Sequence, residues 1–167
     1  MSFPEREDDQ TCSSFLRKIA LTDDRRKRLK VLKAYARMKN LLSEKILLEA
    51  LGDPCEEIRD FIIRELAGRE NLQMSQAYAR LAGPPWYARS AVLRIIAIRR
   101  SGDALRHIER VLDDANADVR KCAAEALGEL GGSEALRLLV RLKKDSNPYV
   151  RAAAEAAMRK ASDVRFV

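Results

Sequence analysis

The chain has 167 residues, of which 47% are hydrophobic and 34% charged, and it carries a formal net charge of +7. The apolar share is too high for a disordered tail, and the charged share excludes an integral membrane protein. Apolar runs such as Ile95–Ile98 are far shorter than the roughly 18 residues of a membrane-spanning helix. The acidic start of the chain lacks the apolar core of a secretory signal. We therefore expect a soluble, cytoplasmic protein without a membrane partner, forming one domain or one short repeat array.

Three cysteines lie far apart, at Cys12, Cys55 and Cys122, and no two of them form a CxxC pair. This usage fits a reducing compartment better than a disulfide framework. Cys55 follows Asp53-Pro54 at a predicted helix start, where a thiol pKa can fall. We interpret it as a small packed residue.

Apolar residues recur at three- and four-residue spacing along the whole chain, which predicts paired helices and no strand. The first helix of each pair is predicted at 11–21, 40–52, 71–82, 103–113 and 133–144, and the second at 24–39, 55–68, 85–100, 117–130 and 148–161. Asp53-Pro54 and Asn147-Pro148 are typical of a cap followed by a first helical turn. Five glycines are expected to end helices or to lie in the links between them: Gly68, Gly102, Gly128, Gly131 and Gly132.

A motif of Asp, five residues and Arg, with Val or Ile before the Arg, recurs in the second helices. It is clear at Asp53–Arg59, Asp114–Arg120 and Asp145–Arg151, weaker at Gly83–Arg89, and weakest at Asp24–Lys30. The basic residues of these motifs, which we call anchors, lie 29, 30, 31 and 31 residues apart. The period predicts a single array over 11–167, preceded by an acidic tail over 1–10, with repeats at about 11–39, 40–70, 71–101, 102–132 and 133–162.

The segment from Asp114 to Gly128, with its Val-Arg and Ala-x-x-Ala-Leu-Gly, resembles the HEAT-repeat family in its short, phycobilisome-lyase-like form. The resemblance implies an all-α fold: an α-solenoid, a right-handed superhelix of about five antiparallel helix pairs. It also implies that the second helices line a concave surface and that neighbouring repeats stack to bury their apolar faces. The lyase activity of that subgroup is not carried by the repeat alone.

The repeated acid and base of the motif are interpreted as structural ion pairs, because each anchor lies at the edge of the packed helix face. Each anchor can reach the turn Asp of its own or a neighbouring repeat. The residues concerned are Asp53, Arg59, Arg89, Asp114, Arg120, Asp145 and Arg151.

The candidate binding surface is the face of the second helices that lies opposite the core. It consists of the positions two residues before, one residue after and five residues after each anchor. Three of the chain's four tyrosines fall on this stripe, and interleaved Tyr and Arg are typical of protein-recognition surfaces. The candidates are Tyr35, Arg64, Tyr87, Arg94, Lys121 and Tyr149.

The positive charge is concentrated in residues 11–39, which hold ten basic and two acidic residues, whereas the other segments together sum to −1. Its densest part is the basic patch Arg25, Arg26, Lys27 and Arg28. This patch is either a solvated face of a capping repeat or a site for an acidic partner, and the acidic residues Glu5–Asp9 could fold back on it. Neighbouring repeats alternate in sign, whereas a groove for a phosphate backbone keeps one sign.

Catalysis has little support, because His107 is the one histidine and no metal-binding, nucleophilic or phosphate-loop motif is present. We expect no enzyme, cofactor or metal, and only a small chance of a lyase-like or glycosylase-like role. The favoured hypothesis is a scaffold or adaptor that binds a protein or peptide on its concave face. The alternative is nucleic-acid binding through the basic first repeat and the Arg-rich third repeat, with Arg89, Arg94, Arg99 and Arg100.

Overall fold

The computed structural model describes residues 22–163, with side chains described as far as residue 161. This range contains α-helices and two 3₁₀ turns and no strand, which confirms the predicted all-α fold of repeated helix pairs. None of these helices combines the length and apolar character needed to cross a bilayer. The predicted tail over 1–10 and helix over 11–21 lie outside the described residues.

The helices follow the predicted order, and most ends agree within two residues. They are α1 (Arg25–Met38), α2 (Leu41–Ala50), α3 (Glu56–Ala67), α4 (Met74–Ala79), α5 (Trp86–Arg99), α6 (Leu105–Glu109), α7 (Ala117–Leu130), α8 (Gly132–Leu142) and α9 (Pro148–Asp163). The second helices of the repeats are α1, α3, α5, α7 and α9.

Two first helices are shorter than predicted. Where one helix was predicted over 71–82, the structure has α4 followed by a 3₁₀ turn over Arg80–Ala82. Where one was predicted over 103–113, it has a 3₁₀ turn over Gly102–Ala104 followed by α6. Beyond α6 the Val111 amide donates to the Ile108 carbonyl at 3.0 Å, a three-residue bond. Apolar spacing of three residues suits both helix types, so the sequence pattern did not separate them.

Side-chain caps set the starts of several second helices. The Asn116 side chain accepts from the Asp118 amide at 2.8 Å at the start of α7. Asn147 accepts from the Tyr149 amide at 2.9 Å at the start of α9. These bonds satisfy amides that the helix itself leaves without partners.

The chain divides into two compact units, Met1–Leu72 and Gln73–Val167. In the described part of the first unit, α2 packs against α1 and α3. The core there is built from aliphatic side chains that are almost fully buried, including Leu32, Leu47, Ile62 and Leu66.

In the second unit, α7 packs against both α5 and α9, and α8 packs against α7 and α9. Small residues bring the second helices close together. A Cβ added at Gly128 would lie 2.7 Å from the Ala157 Cβ and 2.9 Å from its Cα. Gly128 lies inside α7 and is buried, so the expectation that it ends a helix is wrong. Its role is close contact with α9.

Candidate functional site

An arginine of one repeat binds the turn aspartate of the next repeat through a two-pronged contact, which we call a clamp. Arg120 Nε and Nη2 donate to the two carboxylate oxygens of Asp145 at 2.7 and 3.0 Å. Arg120 Nη1 donates to the Asp114 carbonyl of its own turn at 2.6 Å. Asp145 also accepts from the Asn147 amide at 2.8 Å. The clamp therefore ties two consecutive turns together.

Two further clamps have the same geometry. Arg89 binds Asp114 at 2.7 and 2.9 Å, and Arg28 binds Asp53 at 2.8 and 3.2 Å. In each case the partner aspartate lies 25 residues after the arginine. All these side chains are largely buried, and the Arg120 guanidinium holds the pKa of Asp145 below its usual value. Their geometry matches the predicted ion pairing.

The anchors Arg59 and Arg151 make the same bonds to backbone carbonyls of their own turns. Arg59 Nη1 donates to the carbonyls of Asp53 and Pro54, both at 2.8 Å. Arg151 Nη1 donates in the same way to the Asp145 and Ser146 carbonyls, both at 2.8 Å.

The anchor of the first repeat is Arg28, and the assignment of Lys30 is wrong. Arg28 Nη1 donates to the Thr22 carbonyl at 2.9 Å, as the other anchors do to the residue six positions earlier. Lys30 is exposed, and Asp24 instead caps α1 through the Arg26 amide at 2.8 Å. The anchors are now 31, 30, 31 and 31 residues apart, which is more regular than predicted.

This correction moves Tyr35 off the candidate stripe. Tyr35 lies seven residues after Arg28, the position that Leu66 and Leu127 occupy in later repeats, and both leucines are fully buried. Tyr35 is half-buried and therefore belongs to the packed side of α1. The stripe keeps Arg64, which is exposed on α3 in the first unit.

In the second unit, the exposed sides of α5, α7 and α9 form one face, which we call the outer face. Tyr149 is 75% exposed on α9, and Arg94 is exposed on α5. Lys121 is exposed on α7 and pairs with Glu125 at 3.6 Å. The structure therefore places these three predicted residues at the surface, as the stripe required.

The outer face also contains features that the stripe did not predict. Ile98, one turn after Arg94, is 59% exposed, and its place nine residues after Arg89 would have revealed it on a helical wheel. Tyr87 is half-buried, and its ring meets the Trp86 ring edge-on at 5.6 Å between centroids. Ser90, which the stripe placed at the surface, is 8% exposed and lies beside the Cys122 thiol of α7.

Each unit contains an open cleft within the described residues. One, of about 290 Å³, lies at the N-terminal ends of α7 and α9 and is lined by Ala117, Asp118, Lys121, Asn147 and Tyr149. The other, of about 460 Å³, lies in the first unit and is lined by Ala36, Lys39, Glu44, Arg64, Glu65, Gly68, Arg69, Glu70 and Asn71. The charges in the second cleft are mixed, so it has no preference for one sign.

Three of the four residues of the predicted basic patch lie within ion-pair distance of a carboxylate. Arg25 pairs with Glu57 at 3.3 Å, and Lys27 lies 4.0 Å from Asp24. Arg28 is only 11% exposed and is held by Asp53, so its place in an exposed patch is wrong. Arg26 is exposed.

The titratable groups form no recognisable reaction centre in the described range. His107 stacks on the buried Tyr78 ring at 4.2 Å, and desolvation lowers its pKa. Tyr78 donates to Asp103 at 2.7 Å, and burial raises its pKa. Burial also raises the pKa of the Cys122 thiol, which disfavours the reactive thiolate. No group of three His, Cys, Asp or Glu side chains there could hold a metal ion.

Comparison with known proteins places these repeats in a family. The family model for HEAT repeats matches residues 74–159, which is just over half of the chain. No curated protein matches the chain. The matched segment contains two of the clamps, Arg89–Asp114 and Arg120–Asp145, and the outer face. The chain therefore belongs to the HEAT-repeat family.

Proposed function

We propose that this protein is a non-catalytic scaffold or adaptor that binds a protein or peptide on the outer face of its second unit. Because HEAT repeats are commonly protein-interaction scaffolds, membership of the family supports this role. We further propose that the repeats are of the short, phycobilisome-lyase-like form, on account of the 30- to 31-residue period, and that the protein acts in the cytoplasm.

The observation that carries the proposal is the exposure of large apolar side chains on helices that are otherwise well packed. Tyr149 is 75% and Ile98 59% exposed, whereas Val150 and Ile96 on the same helices are fully buried. Packing within the unit does not explain these exposed side chains. Aromatic side chains with nearby arginine give large contact area at low entropic cost in protein interfaces.

The charges on the outer face favour a partner with both signs of charge. Lys121 pairs with Glu125 at 3.6 Å and lines one cleft together with Asp118, and Arg94 is exposed on α5. A polyanion would meet repulsion from these carboxylates, whereas a protein segment can complement both signs. The Tyr149 cleft at the helix N-termini offers a place for one side chain of such a segment.

The test is a quantitative pull-down from the source cell with the wild-type chain and the double variant Arg94→Ala/Tyr149→Ala. Both side chains are exposed, so we expect an unchanged circular-dichroism spectrum and at least a tenfold loss of the specific partner. Val140→Ala is the matched control, because Val140 is 48% exposed on the first helix α8. Equal capture by the double variant and the wild type would contradict the proposal.

The alternative of nucleic-acid binding through the Arg-rich third repeat is weakened by the contacts of its arginines. Arg89 is used in a clamp, and Arg100 pairs with Glu129 at 3.5 Å. The first repeat is a separate case, because its cations belong to α1 in the first unit.

A further inference from the structure

We infer that the exposed side of α1 is a second binding site, one that takes the phosphate backbone of a nucleic acid. The site consists of four cations that we call the basic face: Arg26, Lys30, Lys33 and Arg37. It lies in the first unit.

The four cations form one straight row. They follow one another at four-, three- and four-residue spacing, which places them on one side of an α-helix over about 16 Å. All four are exposed, and at about 100° per residue the row lies roughly 90–130° around the helix from the buried Leu32 and Ala36. Lys33 Nζ lies over the Phe61 ring, 5.8 Å from its centroid.

The row differs from the other cations of α1 in its partners. Arg25 pairs with Glu57, and Arg28 is held by Asp53. Within the described part of the chain, no carboxylate lies within ion-pair distance of Arg26, Lys30 or Arg37. Their charges are therefore not used to hold the described fold together.

The positive charges of the row also destabilise α1, the helix on which they lie. Helix α1 has seven basic and no acidic residues, and basic residues occupy its first turn, where the helix dipole favours acids. Arg26 and Lys30, and Lys33 and Arg37, are like-charge neighbours at four-residue spacing, which destabilises a helix. Folding of α1 therefore does not explain the row, whereas an anionic partner does.

The chemistry of the row favours a phosphate backbone over a protein or a lipid surface. It offers cationic donors alone, so it recognises regular negative charge rather than a pattern of donors and acceptors. The nearby exposed apolar residues, Met38 and Leu41, follow its C-terminal end and do not interrupt it. Insertion into a bilayer would need the apolar side of α1, and Leu32 and Ala36 are buried in the unit.

The experiment is a fluorescence-anisotropy titration of the full chain with a labelled 20-base-pair DNA duplex between 50 and 200 mM salt. Four phosphate contacts predict a slope of about −3.6 in log affinity against log salt, or a fall of about 150-fold over this range. The variant Arg26→Gln/Lys30→Gln/Lys33→Gln/Arg37→Gln should bind at least tenfold more weakly at 50 mM, with a slope near zero.

The control removes the same net charge from the second unit. Its substitutions are at exposed cations, Arg110→Gln, Lys143→Gln, Lys144→Gln and Arg159→Gln. This variant should keep duplex affinity within about threefold of the wild type. Circular dichroism before each titration shows that both variants are folded.

Four outcomes would overturn the inference. The wild type could fail to bind the duplex at 50 mM salt, or the control could lose as much affinity as the basic-face variant. The basic-face variant could bind as tightly as the wild type. Finally, polyglutamate or anionic vesicles could bind the basic face more tightly than DNA at equal charge concentration, which would assign it to an acidic protein or a lipid surface.

Discussion

At the scale of single residues, the clamp explains why the repeat motif requires arginine. Its planar guanidinium reaches both oxygens of the next repeat's carboxylate and, with its remaining nitrogen, the carbonyl of its own turn. A lysine ammonium is a point charge and cannot match that fork. In the central clamp the side chains of Arg120 and Asp145 are 13% and 8% exposed, so solvent screens the pair only weakly.

Arg120→Ala should lower the free energy of unfolding by about 2–3 kcal/mol, because it leaves Asp145 largely buried without its charged partner. Urea denaturation followed by circular dichroism measures the loss. The matched control is Arg137→Ala, which removes an exposed pairing with Glu109 and Glu134 and should change the midpoint much less. Equal losses would show that the clamp does not stabilise the fold.

The clamp should also make stability depend on acid pH. Arg120 lowers the pKa of Asp145 in the folded state, so the ionised carboxylate stabilises the fold above its unfolded pKa near 4. This contribution is lost as the pH falls below about 4 and through the lowered folded value. Asp145→Asn should therefore lose less melting temperature between pH 6 and pH 3 than the wild type. If the two chains lose the same amount, the pairing does not contribute to stability.

Gly128 should be intolerant of any side chain. An added methyl group would lie within 3 Å of the Ala157 Cα and Cβ, so α7 and α9 would have to separate. We expect Gly128→Ala to destabilise the chain by about 1–3 kcal/mol in thermal or urea denaturation. Gly102→Ala is the control, because nothing lies within 4 Å of its added Cβ, and it should be close to neutral.

At the scale of elements, α1 packs as a second helix but has a charge pattern that disfavours a helix. Its apolar residues Leu32 and Ala36 pack like those of the other second helices, but its exposed side carries only positive charge. The destabilising charges and the proposed phosphate contacts come from the same side chains. Stability and binding should therefore respond in opposite directions to one substitution.

Arg26→Glu tests this separation. The acid favours the positive end of the helix dipole and removes a like-charge neighbour of Lys30, so stability should rise by about 0.3–1 kcal/mol. The same change should weaken duplex binding, because a cation of the basic face becomes an anion. Denaturation and anisotropy on one preparation give both results. A variant that loses stability and binding together would point to damage to the fold.

At the scale of the whole molecule, the chain consists of two compact units with separate candidate sites. The second unit contains its own aliphatic and alanine core and two complete clamps, Arg89–Asp114 and Arg120–Asp145. Because repeat proteins are stabilised by contacts between neighbouring repeats, such a unit holds what it needs to fold.

Residues 73–167 expressed alone should therefore give a helical circular-dichroism spectrum and a cooperative thermal transition. The fragment should also keep the partner captured by the outer face and lack the duplex binding assigned to α1. A non-cooperative melt or an unfolded spectrum would show that the second unit depends on the first.

The near-constant repeat period, the helix pairs and the pairing of Arg89 and Arg120 with a turn aspartate were predicted from the sequence alone, because each is encoded by side chains in a local, recurring pattern. The tertiary structure decided which aspartate each arginine binds, since the pair is 25 residues apart. It also corrected the first repeat, because the own-turn partners of Arg28 are backbone carbonyls, which no side chain marks, and the misleading Asp24 is a helix cap. From that correction follow the burial of Arg28 and the removal of Tyr35 from the stripe. The tertiary structure likewise showed that Gly128 belongs to a helix contact, because helix ends and close contacts both favour glycine.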